Sequence, residues 1–301
     1  MSKKVLLRFS PVLAISFLLS TIAFAQEAPT QKQISPDEAR ELVRRAMESD
    51  LENYRKQRDL THIERVKTDQ LDKKGNLKKS ETVTREILIL YGERVERVLE
   101  RDDKPLTGNE LKKEQERFEK RVAKLQSESP AGREKRQNKF EEQTEKSREF
   151  VKEVADAFNF TFSGEEMVMD RPAYVIEAEP RPDYKPHSRE GNILKKTRGK
   201  IWIDMVSNHW LKLDVEFTDT VSFGWFLARV RRGTRVQMEQ GLFRDEIWVP
   251  RRVQFSLDAR VALFKELFAN IDVSFRDWRK FSTDSKTTDF VELPAASDPK
   301  P

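Results

Sequence analysis

From Phe160 to Ser282 apolar side chains recur at every second position, and that period of two constrains the fold more than any other feature of the chain. Tyr174, Ile176 and Ala178 alternate with Val175, Glu177 and Glu179 before Pro180. Ile201, Ile203 and Met205 share one face of the next segment. Leu211, Leu213, Val215 and Phe217 share one face of its successor, with Ser207-Asn208 as the turn between them. Val236 and Met238, Ile247 to Val249, then Val253, Phe255 and Leu257, and finally Ile271, Val273 and Phe275 continue the series. Short strands spaced by turns predict one large curved sheet or barrel, with about eight to ten antiparallel strands once an N-terminal hairpin is added.

That hairpin is read from Thr61 to Leu71 and Leu77 to Tyr91, which flank the polar turn Asp72-Lys73-Lys74-Gly75-Asn76. A further strand through Val95 to Leu99 stops at Arg101-Asp102-Asp103-Lys104-Pro105. Ahead of them, Ser35-Pro36-Asp37-Glu38 supplies an N-cap, a proline at the first helical position and a capping-box Glu. Leu42, Val43, Ala46, Met47, Leu51 and Tyr54 then fall on one face of a helix. Between Gly108 and Phe150 there are 12 Lys+Arg and 10 Asp+Glu, a balance that fits a salt-bridged helical hairpin better than a self-repelling disordered insertion. Leu111, Phe118, Val122 and Leu125 form one narrow stripe; Phe140, Ser147, Val151, Val154 and Phe158 form another after the break at Pro130-Ala131-Gly132. The expected class is therefore α+β, mainly β. It is a strongly curved antiparallel sheet or half-open β-barrel, with an N-terminal helix and a central charged helical hairpin covering or flanking it.

The first 25 residues have the pattern of an export signal: Lys3, Lys4 and Arg8, an apolar run from Val12 to Phe24, and Ala23-Phe24-Ala25 as a cleavage site. Cleavage leaves a chain starting at Gln26, since the run is shorter than the roughly 17–25 residues of a membrane span. The expected organisation is a signal peptide over 1–25, a flexible lead over 26–34, one domain over 35–283 with a helical insertion at 108–158, and a loose tail over 284–301. The chain has no cysteine, which excludes a lipoprotein anchor, disulfides, thiol nucleophiles and Cys-based metal sites. A soluble periplasmic product follows. Removing the signal leaves 54 basic against 52 acidic residues, so no general attraction to nucleic acid is expected.

No H-E-x-x-H, G-x-S-x-G, P-loop or G-x-G-x-x-G motif is present. His62, His187 and His209 stand in separate segments without a second ligand at metal spacing. Glu165-Glu166 with Asp170 reads as a solvated acidic turn, and Asn159-Phe160-Thr161 as a chance glycosylation match. The chain is read as a non-enzyme with no cofactor and no metal. Large side chains are in surplus at Val221-Ser222-Phe223-Gly224-Trp225-Phe226-Leu227 and at Val261, Leu263, Phe264, Leu267 and Phe268. They either plug the open side of the sheet as core or form the rim of an apolar cavity. In the second case the ligand-binding residues are Phe223, Trp225, Phe226, Leu227, Phe264 and Phe268.

The segments Asp170-Arg171-Pro172-Ala173-Tyr174-Val175-Ile176-Glu177-Ala178, Gly199-Lys200-Ile201-Trp202-Ile203-Asp204 and Leu211-Lys212-Leu213 resemble the paired strands of the bacterial lipoprotein-sorting (LolA-like) carriers. Phe223-Gly224-Trp225-Phe226-Leu227-Ala228-Arg229, Trp248-Val249-Pro250-Arg251-Arg252 and Phe275-Arg276-Asp277-Trp278-Arg279-Lys280-Phe281 resemble uncharacterised bacterial envelope proteins carrying that domain. The resemblance spans about residues 36 to 282. It implies a half-open barrel around an apolar space for acyl chains, although the carrier's functional arginine has no counterpart here. Two functions follow. One is a periplasmic binding or carrier protein sheltering a lipid or lipoprotein acyl chain. The other is an envelope interaction protein with a filled core, whose protein partner docks on the 108–158 helices.

Overall fold

The computed structural model describes residues 33–188, 191–223, 228–261 and 265–280, with 223, 228, 261 and 265 as backbone only. The export signal and the tail expected at the two ends lie outside the described residues. Helix α1 (Pro36–Gln57) starts where the sequence places it: the Ser35 hydroxyl accepts from the Glu38 N–H, and the Glu38 carboxylate accepts from the Ser35 N–H. Strands β1 (Leu60–Leu71) and β2 (Leu77–Leu90) form the expected hairpin. Asp72 closes its turn by accepting from the N–H groups of Lys74 and Asn76, and Gly75 takes the left-handed conformation (φ 84°) that its position requires. Strands β3 (Glu93–Arg101) and β4 (Lys104–Pro105) follow, turning through Asp102 and Asp103, both at positive φ.

Two helices occupy the charged middle, α2 (Gly108–Gln126) and α3 (Pro130–Ala157). Helix α2 packs along β3, where the buried Glu114 carboxylate accepts from the Val98 N–H at 2.7 Å and is held by Arg117. Because β4 covers only two residues of β3, this bond satisfies a strand-edge donor that otherwise faces no partner strand. Helix α3 packs on α1 instead. The second half then builds β5 (Phe158–Val168), β6 (Arg171–Pro180), the short α4 (Gly191–Leu194), β7 (Thr197–Asp204), β8 (Trp210–Phe217), β9 (Val221–Phe223), β10 (Ala228–Val230), β11 (Arg235–Phe243), β12 (Ile247–Val261) and β13 (Lys265–Lys280).

Thirteen strands replace the eight to ten expected. Three of them, β4, β9 and β10, are only two or three residues long, too short to show a period. Phe158, assigned from its spacing to a helical stripe, instead opens β5. The strands form one antiparallel sheet in the order β4-β3-β2-β1-β13-β12-β11-β8-β7-β6-β5, with β10 paired to β12 and β9 to β10. The first and last strands of this path do not pair, so the sheet is not closed into a barrel. Register shifts at Thr61/Ile63, Phe162/Gly164, Trp202/Ile203 and Glu239/Gln240 insert bulges, which bend and twist the strands that carry them.

One core joins α1 to the sheet: Ala39, Leu42, Val43 and Ala46 pack on Phe158, Phe160, Ile176, Ile201 and Ile203. A second core, absent from the sequence reading, lies on the opposite face of β6 and β7 and gathers Val175, Trp202, Leu211 and Trp248. No helix covers it. Long cations lie over its aromatic rings, Lys212 at 5.1 Å from Trp202 and Arg171 at 5.3 Å from Trp248, so their side chains shield apolar surface. Arg171 is fixed by a double hydrogen bond to buried Asp204, at 2.7 and 3.0 Å.

Helix α1 is locked to the sheet by polar bonds as well. Asn53 both donates to the Trp248 carbonyl (2.6 Å) and accepts from the Trp248 N–H (2.9 Å), and Gln57 adds a second donor to the same carbonyl. One turn earlier, Asp50 accepts from Gln240 at 2.8 Å. Burial holds the Asp50 carboxyl above its ordinary range, against the opposing effect of the bonds from Gln240 and Trp210. A raised folded-state value means that stability is lost as pH rises from the unfolded value of about 3.9 through the folded one. Asp50→Asn should therefore match the parent in melting temperature near pH 4 and exceed it near pH 7; a thermal-melt series across that range checks this.

Candidate functional site

Where β1, β2, β11, β12 and β13 face the ends of α1 and α3, they leave a half-open cleft of about 700 Å³. The register of the sheet builds its floor. His62 stands opposite Ile87, and Glu64 lies between Arg85 on β2 and Phe275 on β13. Leu60, Ile87 and Ile89, with Met238 and Val253 from neighbouring strands, make the floor largely aliphatic. Phe275 and Trp278 flank His62: its ring stacks on Trp278 with centroids 4.0 Å apart and planes 26° off parallel, and Phe275 lies 5.8 Å away. The opposite wall comes from the helices, through Tyr54, Gln57 and Arg58 at the end of α1 and Arg133, Arg136, Gln137 and Phe140 on α3. The helical residues recur at spacings of three and four, so one side of each helix faces the cleft.

The apolar floor contains one charged nest. Glu64, only 4% exposed, accepts from His62 Nε2 at 3.2 Å, from Arg94, and faces Arg85 Nε at 3.2 Å. Burial pushes its carboxyl up, but the bond from His62 and the Arg94 guanidinium together outweigh that and leave it below its ordinary range. His62 Nδ1 and Trp278 Nε1 are both buried, and neither has a hydrogen-bond partner among the described residues.

The mouth is rich in arginine. Arg136 bridges Glu93 and Glu128 and donates to the Tyr91 carbonyl, tying α3 to the β2–β3 turn. Arg58 lies over the Phe140 ring, 4.0 Å from its centroid, and Phe140 in turn stacks on Tyr54 at 6.2 Å and 14°. This stack closes α1 against α3 at the cleft edge.

Of the residues expected from the sequence to bind ligand, only Phe268 has a described side chain. Trp225, Phe226, Leu227 and Phe264 lie outside the described residues, as does the side chain of Phe223. Phe268 sits at the far end of β13, opposite Leu71, with the Arg231 guanidinium 5.8 Å from its ring. It does not line the cleft. In the sequence the cleft residues are ordinary members of strand and helix faces, because what distinguishes Ile89, Phe275 or Phe140 is the space in front of them. Of the histidines, His209 stacks on Trp248 at 5.3 Å and is held below its ordinary range by burial, and the His187 N–H donates to buried Glu153. Glu166 accepts from the Trp202 indole, and among the described residues no group of three His, Asp or Glu could hold a metal ion. Nor is any helix there long and apolar enough to cross a membrane.

No protein family's sequence profile matches the chain, and no curated protein does. Similar solved structures include a DUF1329 family protein from Desulfovibrio piger, at 10% identity over 84% of this chain and 96% of that one, with a TM-score of 0.32. A LolA superfamily protein from Nitrosomonas europaea is 11% identical over 79% of this chain and 94% of its own, with a TM-score of 0.31. A domain described as an outer membrane lipoprotein-sorting protein, from Vibrio parahaemolyticus, is 12% identical over 83% and 97%, with a TM-score of 0.27.

Glu64→Gln removes the charge that Arg85 and Arg94 share, and it should lower stability at neutral pH by about 1–3 kcal/mol, as for other buried groups deprived of a partner. Since the Glu64 carboxyl is held low, the difference from the parent should be full above about pH 4.3 and shrink as pH falls below it, read from urea midpoints.

Proposed function

We propose that this protein is a non-enzymatic binding or carrier protein of the cell envelope, and that its cleft shelters an apolar chain such as a lipid or lipoprotein acyl group. The observation that supports this most directly is the half-open space of about 700 Å³ between the sheet and two helices, floored by aliphatic and aromatic side chains. Small-molecule sites span roughly 300–1,000 Å³. Each methylene moved from water onto such a floor contributes about 0.8 kcal/mol, so a hydrocarbon tail needs no charged contact to bind. Export to the periplasm is proposed from the leader pattern over residues 1–25, and N-terminal sequencing of the protein recovered from cells should start at Gln26.

The binding reading is tested by native mass spectrometry of protein purified from the envelope, together with uptake of the apolar dye N-phenylnaphthylamine. Dye uptake, or a co-purifying lipid, is expected. Ile89→Trp, which fills the floor, should reduce uptake at least tenfold while leaving the circular dichroism spectrum unchanged. Protein that carries no lipid and takes up no dye would sink the proposal. Trp225→Ala, made in parallel, asks whether the 223–227 segment reaches the same ligand. Deleting residues 108–158 is a poor discriminator from a protein-docking role, because α3 is itself a wall of the cleft. Charge reversals on the exposed Lys112 and Lys113 of α2 test that second role without touching the cleft.

A further inference from the structure

The cleft is amphipathic along its depth, and its two charge signs are treated differently. Both acidic residues in its lining are already bound: Glu64 by His62, Arg85 and Arg94, and Glu93 by Arg136 at 2.9 Å, with Arg121 at 3.8 Å. Two of the four lining arginines have no carboxylate within ion-pair distance among the described residues. Arg58 rests on the Phe140 ring, and Arg133 donates only to the Glu128 carbonyl at 3.3 Å. An aromatic face orients a guanidinium without neutralising it, and a carbonyl takes one of its five donors. Positive charge with no carboxylate in direct contact therefore stands on the helical wall, across from a largely apolar floor, with Glu128 acting on Arg133 only at longer range.

Resting on the binding role argued above, we propose that the cleft selects a single-chain anionic amphiphile, its hydrocarbon tail on the sheet floor and its oxyanion head held by Arg58 and Arg133. A planar guanidinium pairs with a carboxylate or phosphate oxygen pair in two parallel hydrogen bonds, geometry that a neutral alcohol or ester head cannot use. The head-group contacts sit on the partly exposed rim, so salt screens them, whereas the tail contacts are indifferent to it.

The test compares two probes that differ only in the head, dodecanoate and 1-dodecanol at pH 8, by displacement of N-phenylnaphthylamine from the full chain. Dodecanoate is expected to bind about tenfold more tightly at low salt, with the advantage shrinking in 0.5 M NaCl. In Arg58→Gln/Arg133→Gln the gap between the two probes should close to within about twofold. Both positions are exposed, so an unchanged melting temperature shows that the fold stands; Arg133→Gln alone, which leaves the Phe140 stack intact, serves if the pair does not fold. Equal binding of the two probes by the parent protein overturns this inference and leaves the binding role standing. So does a dodecanoate preference that survives the double substitution. Failure of both probes, with no dye uptake, overturns the binding role itself.

Discussion

The antiparallel ladder between β1 and β13 is the contact on which the rest of the architecture depends. It runs from Leu60 opposite Lys280 to Leu71 opposite Phe268, joining segments some two hundred residues apart. Without it the N-terminal hairpin and the C-terminal strands are two smaller sheets, each with an exposed edge of unpaired N–H and C=O groups. With it, β1 becomes an interior strand, and Glu64 and His62 are brought beside Phe275 and Trp278. The cleft floor exists only across this seam. The ladder therefore fixes both the continuity of the sheet and the chemistry of the cleft floor.

Helix α1 turns that sheet into a container. Its first half is bound by small and branched apolar residues and its second half by Asn53, Asp50 and Gln57, which bond the backbone or side chains of β11 and β12. Helix α3 completes the wall through the Tyr54–Phe140–Arg58 stack and the Arg136 bridge. The charged middle of the chain thus serves two purposes: α2 covers a strand edge with Glu114, and α3 supplies the cationic side of the cleft.

The distribution of charge is consistent with this division. On the face of β6 and β7 opposite α1, cations lie over Trp202 and Trp248. Within the cleft the single buried carboxylate is surrounded by donors, so its charge is stabilised and unavailable to a ligand. The unpaired guanidinium groups are confined to the rim.

Local signals in the sequence carried much of this. The capping box and proline set the start of α1, the Asp72 carboxylate closes its own turn, and the period of two marks nearly every long strand, because each of these is settled by interactions within a few residues. The stripe ending at Phe158 misled for the same reason, since a single apolar residue at a helix end fits either period. The binding residues proposed from aromatic density fall mainly outside the described residues, and Phe268 is not among the residues that line the cleft. Which strands become neighbours, that apolar cores form on both faces of β6 and β7, and that Ile89, Phe140, Phe275 and Trp278 border one space were decided by tertiary structure alone. A strand of period two can pair with any other of the same kind; only the summed burial and bulge geometry of the whole sheet selects the partner and register, and an unfilled volume is a property of that assembly that no single segment encodes.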